Sequence, residues 1–214
     1  MTKFISDREI YEQVIRDAVP TAKERLWIAT ADIKDMYVAP LSLHGLENPC
    51  PGDVPTPPHG LENPCPGSRR VAATKGEDLV PFLKVIAQLI GKGVEVRLIH
   101  AKEPGPNFRA DFDRYPRLAK GLERVLCPRV HFKCVIVDGT LAWFGSANLT
   151  GAGMGAKSEQ KRNFENGVLT DERSLIAPLE EQFDAVWRGD FCRLCGRKDF
   201  CPDPILTDDQ MEDD

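Results

Sequence analysis

Between His131 and Asn148 the sequence HFKCVIVDGTLAWFGSAN places a histidine and a lysine one residue apart, then an Asp-Gly pair, then Gly145, Ser146 and Asn148. An imidazole can attack phosphorus and hold the phosphoryl group covalently. An ammonium two residues away neutralises non-bridging phosphate oxygens. A serine hydroxyl and an asparagine amide donate to the same oxygens. Taken singly, His131 reads as a core histidine, Lys133 as a snorkelling lysine, and Ser146 and Asn148 as turn residues. In combination they make a phosphate-reading set with a nucleophile inside it.

These groups need a scaffold that gathers them. In a strand, alternate side chains share a face. His131 and Lys133 therefore point one way with Val135 and Val137, while Phe132, Cys134 and Ile136 pack on the other side. Asp138-Gly139 is a hairpin turn signal. TLAWF then returns antiparallel and delivers Gly145, Ser146 and Asn148 near the level at which His131 began. Upstream, SDREIYEQVIRDAVPTA reads as a helix that Asp7 could cap, and RLWIATADI as a buried strand. GEDLVPFLKVIAQLIGKG is an amphipathic helix and VEVRLIH the next strand, so strand, helix and strand imply a parallel pair. A helix is expected around residues 112–125, and SLIAPLEEQFDAVW is the last one. The fold class is α/β, with a mixed, mainly parallel sheet flanked by helices.

The spacing His131-x-Lys133-x4-Asp138-x6-Gly145-Ser146-x-Asn148 resembles the HKD motif of the phospholipase D superfamily. Downstream, KRNFENG is similar to the Asn/Glu segment that follows the motif in that family, with Glu165 and Asn166 in register. From Ile10 to Trp187 the element order also fits one half of a family member. The resemblance implies a phospholipase D-like fold and a metal-independent phosphodiesterase. His131 would be the nucleophile that forms a phosphohistidine. Lys133, Ser146 and Asn148 would hold the phosphoryl oxygens. Glu165 would accept a hydrogen bond from the second nitrogen of His131, and Asp138, at the turn, would organise the site. This mechanism uses two histidines, one attacking and one protonating the leaving oxygen. The chain has one HxK, and His100 lacks the motif and reads as structural or rim-lining. A homodimer that places two copies of His131 in one cleft is therefore expected.

Other features lie outside the resemblance. Residues 44–52, HGLENPCPG, recur unchanged at 59–67 inside a Pro- and Gly-rich insert at 41–74. The insert reads as a duplicated surface loop; its His44, Cys50, His59 and Cys65 are four potential metal ligands whose spacing matches no zinc signature, so an inert loop and a metal-binding loop both stay open. Seven cysteines, an odd number, argue against a disulfide framework. Cys192-x2-Cys195-x5-Cys201 resembles a zinc knuckle whose fourth ligand is undetermined, with Cys127 and Cys134 among the candidates. Structural zinc, free thiols and a redox pair all stay open. The net charge of −5 comes from the tail, where Asp203, Asp208, Asp209, Glu212, Asp213 and Asp214 gather; the body without them is slightly positive. The chain thus divides into a catalytic domain at 1–190, a Cys-rich knuckle at 191–202 and a solvated, disordered acidic tail at 203–214.

The motif specifies a phosphodiester but not whose. Arg69, Arg70, Lys75, Lys157, Lys161 and Arg162 could rim a cleft for a nucleic-acid backbone, which favours an endonuclease on DNA or RNA. A phospholipase D acting on phospholipid would need an apolar approach, for which Trp143 and GAGM are the candidates. A non-catalytic phosphate-binding module is the third reading. The charged N-terminus lacks a signal-peptide core and no apolar run is long enough to cross a bilayer, so a cytoplasmic protein is expected.

Overall fold

The computed structural model describes residues 1–34, 36–40, 79–202 and 204–205. The insert at 41–74, with Arg69 and Arg70, lies outside the described residues, as do Lys75 and nearly all of the acidic tail. The chain opens with strand β1 (Thr2–Ser6), which the sequence reading did not anticipate, and helix α1 (Arg8–Ile10). The helix widens into a π-helical stretch at Tyr11–Ala18 and ends in a 3-10 turn at Val19–Thr21. Then come β2 (Arg25–Thr30), the two-residue strands β3 (Tyr37–Val38) and β4 (Val80–Pro81), α2 (Phe82–Gly91) and β5 (Glu95–His100). The remainder is α3 (Pro106–Arg114), α4 (Pro116–Gly121), β6 (Leu122–Leu126), β7 (Cys134–Val137), β8 (Leu141–Gly145), β9 (Asn166–Thr170) and α5 (Arg173–Trp187).

A seven-stranded sheet runs in the order β1-β9-β8-β7-β2-β5-β6. The β2–β5 and β5–β6 pairs are parallel; the other pairings are antiparallel. Only β7 and β9 run against the other five strands. Helix α2 supplies the crossover expected between β2 and β5. It closes on Gly93, whose φ of +88° lets the Val94 N–H reach back to the Leu89 carbonyl at 3.1 Å.

The helix expected at 112–125 is two short helices and a strand. Pro116 disfavours helical backbone at Tyr115, which breaks α3 from α4. Leu122 to Leu126 then pair with β5 from Val96 to His100. That edge of the sheet outcompetes continuation of the helix.

The sheet has an apolar layer on each face. On one, Val135, Val137 and Trp143 pack with Ile10 of α1, Val14 of the π-helical stretch that follows it, and Leu89 of α2. On the other, Trp27, Ile136 and Ala142 pack with Ile176 and Phe183 of α5, and the Trp27 and Phe183 rings stack at 4.9 Å. The alternation read from VIV in β7 thus corresponds to the two layers.

Candidate active site

The hairpin β7–β8 turns as its sequence demands. Asp138 and Gly139 take φ values of +51° and +65°, and the Thr140 N–H bonds the Val137 carbonyl at 3.0 Å. Positive φ at both central residues is the type I′ geometry that an Asp-Gly pair supplies. The Asp138 carboxylate accepts the backbone N–H groups of Lys23, Glu24 and Arg25 at 3.0, 2.9 and 2.9 Å. Burial alone would raise its pKa, but these three donors outweigh that and hold the carboxyl below its usual value. Asp138 therefore ties the hairpin to the start of β2. It lies at the far end of β7 from Lys133, roughly 17 Å away at the rise of a strand.

The other end of the hairpin gathers the remaining motif residues. The Gly145 N–H bonds the Lys133 carbonyl at 3.2 Å, and the Ser146 N–H bonds the Asn166 carbonyl at 2.9 Å. These bonds bring the end of β8 between the residues before β7 and the start of β9. Glycine is required here: a Cβ on Gly145 would stand 2.2 Å from the Asn166 carbonyl oxygen, and one on Gly167 2.5 Å from Trp143 Nε1. The two glycines let the Trp143 indole slide under the site. Trp143 is buried, as is Met154 of GAGM, so neither offers the open apolar approach considered for acyl chains.

His131 is exposed and Lys133 is 7% exposed. Lys133 Nζ lies 3.2 Å from His131 Nδ1. An ammonium only donates, so Nδ1 accepts and the imidazole proton sits on Nε2. Burial lowers the pKa of Lys133, and the Glu165 carboxylate partly offsets this. Glu165 thus belongs to the same electrostatic cluster, but its hydrogen bonds run elsewhere. Its carboxylate takes the Ser146 hydroxyl and, at 3.0 Å, the Asn163 amide. Ser146 Oγ also accepts the Asn166 N–H at 3.1 Å. The bond expected between Glu165 and His131 is replaced, in this arrangement, by one to Ser146.

Two residues in this cluster were not anticipated in the roles they hold. Asp7 does not cap α1 with its side chain. Its Oδ1 takes the Glu165 N–H and its own N–H bonds the Glu165 carbonyl, both at 2.9 Å, which fixes the backbone of Glu165 from both sides. Thr30, at the end of β2, accepts the Leu149 N–H at 2.9 Å through Oγ1 and donates to the Asp32 carbonyl at 2.8 Å. The Asp32 N–H in turn bonds Asn148 Oδ1 at 3.1 Å. This engages the carbonyl of the Asn148 side chain and leaves its amide to donate. A threonine ending a buried strand carries no spacing signal, so only the fold reveals it. His100 pairs with Thr30 in the sheet but is 2% exposed. Its Nδ1 donates to the Lys102 carbonyl at 2.8 Å, and burial lowers its pKa. It is structural.

Cys192, Cys195, Cys201 and Cys127 line one small cavity of about 30 Å³ beside β6. Thiolates are chemically suited to zinc. Among the described residues no group of three or more His, Cys, Asp or Glu side chains is arranged to hold a metal ion, and the repeat-loop cysteines and histidines lie outside the described residues. Cys134 lies buried in the apolar layer with Ile136 and Phe183, apart from the cavity that the other four cysteines line, and burial pushes its thiol up to about 12. Among the described residues no helix is long and apolar enough to cross a membrane.

Residues 77–187, just over half of the chain, match the family model of the cardiolipin synthase, PLD-like domain. A mitochondrial cardiolipin hydrolase of Chlamydomonas reinhardtii is 30% identical over 104 residues, which are 48% of this chain and 44% of that protein. The chain thus matches less than half the length of this curated relative. Among solved structures, NucT from Helicobacter pylori aligns with a TM-score of 0.53 at 13% identity, covering 87% of this chain and 95% of that one. Nuc from Salmonella typhimurium, a phospholipase D family member, aligns with the same TM-score at 16% identity, covering 87% and 93%. Both structures share the fold. With the match across 77–187 and the HxK, GSxN and Glu165 cluster inside it, the chain belongs to the phospholipase D superfamily.

Proposed function

We propose that this protein is a metal-independent phosphodiesterase that works through a phosphohistidine on His131, with nucleic acid as its substrate. The observation that carries the reading is the approach of Lys133 Nζ to His131 Nδ1 at 3.2 Å, with Ser146 and Glu165 alongside. A scissile phosphate seated there meets a nucleophile, a buried cation and the amide of Asn148.

The chemistry is a double displacement. His131 Nε2 attacks phosphorus, a P–N bond forms and the P–O bond to the leaving alcohol breaks. Attack requires the proton on Nδ1 rather than Nε2. Phosphate oxygens draw Lys133 away from Nδ1, and the Nδ1–H then has Glu165 as its acceptor once Ser146 turns to the phosphate. His131 of a second protomer gives its proton to the leaving oxygen. It then takes a proton from water, which attacks phosphorus, breaks the P–N bond and regenerates the free histidine. A homodimer follows from this need for two histidines; full activity in a strictly monomeric species would remove it.

Nucleic acid is favoured because the loop beside Glu165 is basic and open, with Lys157 and Lys161 exposed, while the apolar candidates for a lipid approach are buried. Phospholipid is the second reading, supported by the 30% identical cardiolipin hydrolase. The test is turnover in excess EDTA on single- and double-stranded oligonucleotides and on cardiolipin vesicles. Oligonucleotide cleavage that survives EDTA is the expected result. Turnover of vesicles alone would transfer the assignment to lipid, and turnover restored only by added metal would overturn the mechanism.

A further inference from the structure

Phe164 stands 97% exposed, one residue before Glu165. A lone apolar residue on a surface needs no explanation, but this one is held in place from both sides. The Asn163 N–H bonds the Ala152 carbonyl at 3.0 Å, and its side chain bonds Glu165. Glu165 is doubly bonded to Asp7 through its backbone. The ring is thus displayed in solvent on a backbone that the site itself anchors. Its Cα is about 3.8 Å from that of Glu165, whose carboxylate touches Ser146. Exposed Lys157 and Lys161 occupy the same loop.

We propose that Phe164 is a stacking platform for the base next to the scissile phosphate of a single-stranded nucleic acid. The inference rests on the nuclease reading above and adds to it a preference for unpaired strands. Groove cations that track the backbone, with an aromatic ring taking the base, form the pattern by which single strands are bound without sequence preference. Because the ring's backbone is already fixed, little ordering entropy is spent on stacking. A base paired within a duplex cannot present its face to the ring, so the duplex gains nothing from it.

Fluorescence anisotropy with labelled single-stranded oligonucleotides tests this, comparing wild type with Phe164→Ala and Phe164→Trp. The probes are a normal strand and one carrying a single abasic site at the scissile position. Phe164→Ala is expected to weaken the normal strand about tenfold or more, to change the abasic strand little, and to regain affinity in Phe164→Trp. Equal losses on normal and abasic strands would overturn the platform. So would a loss confined to cardiolipin vesicles, which would make the ring a lipid contact, or a shift of the monomer–dimer equilibrium in sedimentation, which would make it an interface residue. Wild type that neither binds nor cleaves either oligonucleotide would remove the nuclease reading itself, and the platform with it.

Discussion

At its turn, the β7–β8 hairpin holds Asp138 with three backbone donors on its carboxylate and a pKa below the ordinary value. At its open end the same hairpin leaves His131 and Ser146 exposed and buries the Lys133 ammonium against an imidazole. One motif therefore supplies two kinds of polar residue. Where the partners are backbone groups of the same chain, the side chain fixes the fold. Where partners are few and interchangeable, it is free for a ligand. Exposure alone does not separate the two kinds, since Lys133 is buried and Asp138 only partly so. The identity of the partners does.

Mutations at the two ends should part company. His131→Asn is expected to have the largest effect: a loss of phosphodiesterase kcat/KM of roughly a thousandfold or more, with the thermal midpoint unchanged because the ring is exposed. Steady-state kinetics beside a melting curve checks both halves. Lys133→Met should cost roughly a hundredfold in activity and leave stability equal or higher, because an ammonium is removed from a buried position. In the wild type, the alkaline limb of the rate profile should begin below the ordinary lysine value of 10.5, since burial depresses Lys133.

Asp138→Asn at the turn should behave in reverse, losing about 2 kcal/mol of stability while the folded protein turns over near the wild-type rate. The sign with pH follows from the lowered carboxyl. Its stabilising contribution is present above the unfolded value of about 3.8 and is lost as pH falls through the folded value. The variant should therefore show a flatter acid limb in urea titrations. An Asp138→Asn protein of full stability and lost activity would break the contrast. Smallest of the activity losses is that of Thr30→Val, which should lower activity about tenfold by loosening Asn148 and should also cost about 1–2 kcal/mol of stability, because the buried Leu149 N–H loses its acceptor.

The sequence disclosed the chemical end more fully than the structural one. HxK and GSxN sit at spacings that only a hairpin can bring together, so the alternation of β7 and the Asp-Gly turn were enough to gather them. Asp7 and Thr30 were out of reach. Each acts through backbone bonds to residues more than a hundred positions away, and no local pattern encodes such a partner. The helix expected at 112–125 failed for a related reason. Leu122 to Leu126 have both helical and strand character, and the free edge of β5 decides between them. Strands β1 and β9 escaped because each is short and takes its register from distant partners, β9 from β8 and β1 from β9.

The most direct test of the chemistry assigned to the open end is a rapid-quench single turnover with an oligonucleotide, stopped in alkaline denaturant and read by intact and peptide mass. A transient adduct on His131 of one oligonucleotide fragment, held through its terminal phosphoryl group, appearing before product and decaying with it, is the expected result. Product formation with no adduct at any time, or an adduct on another residue, would contradict the assignment.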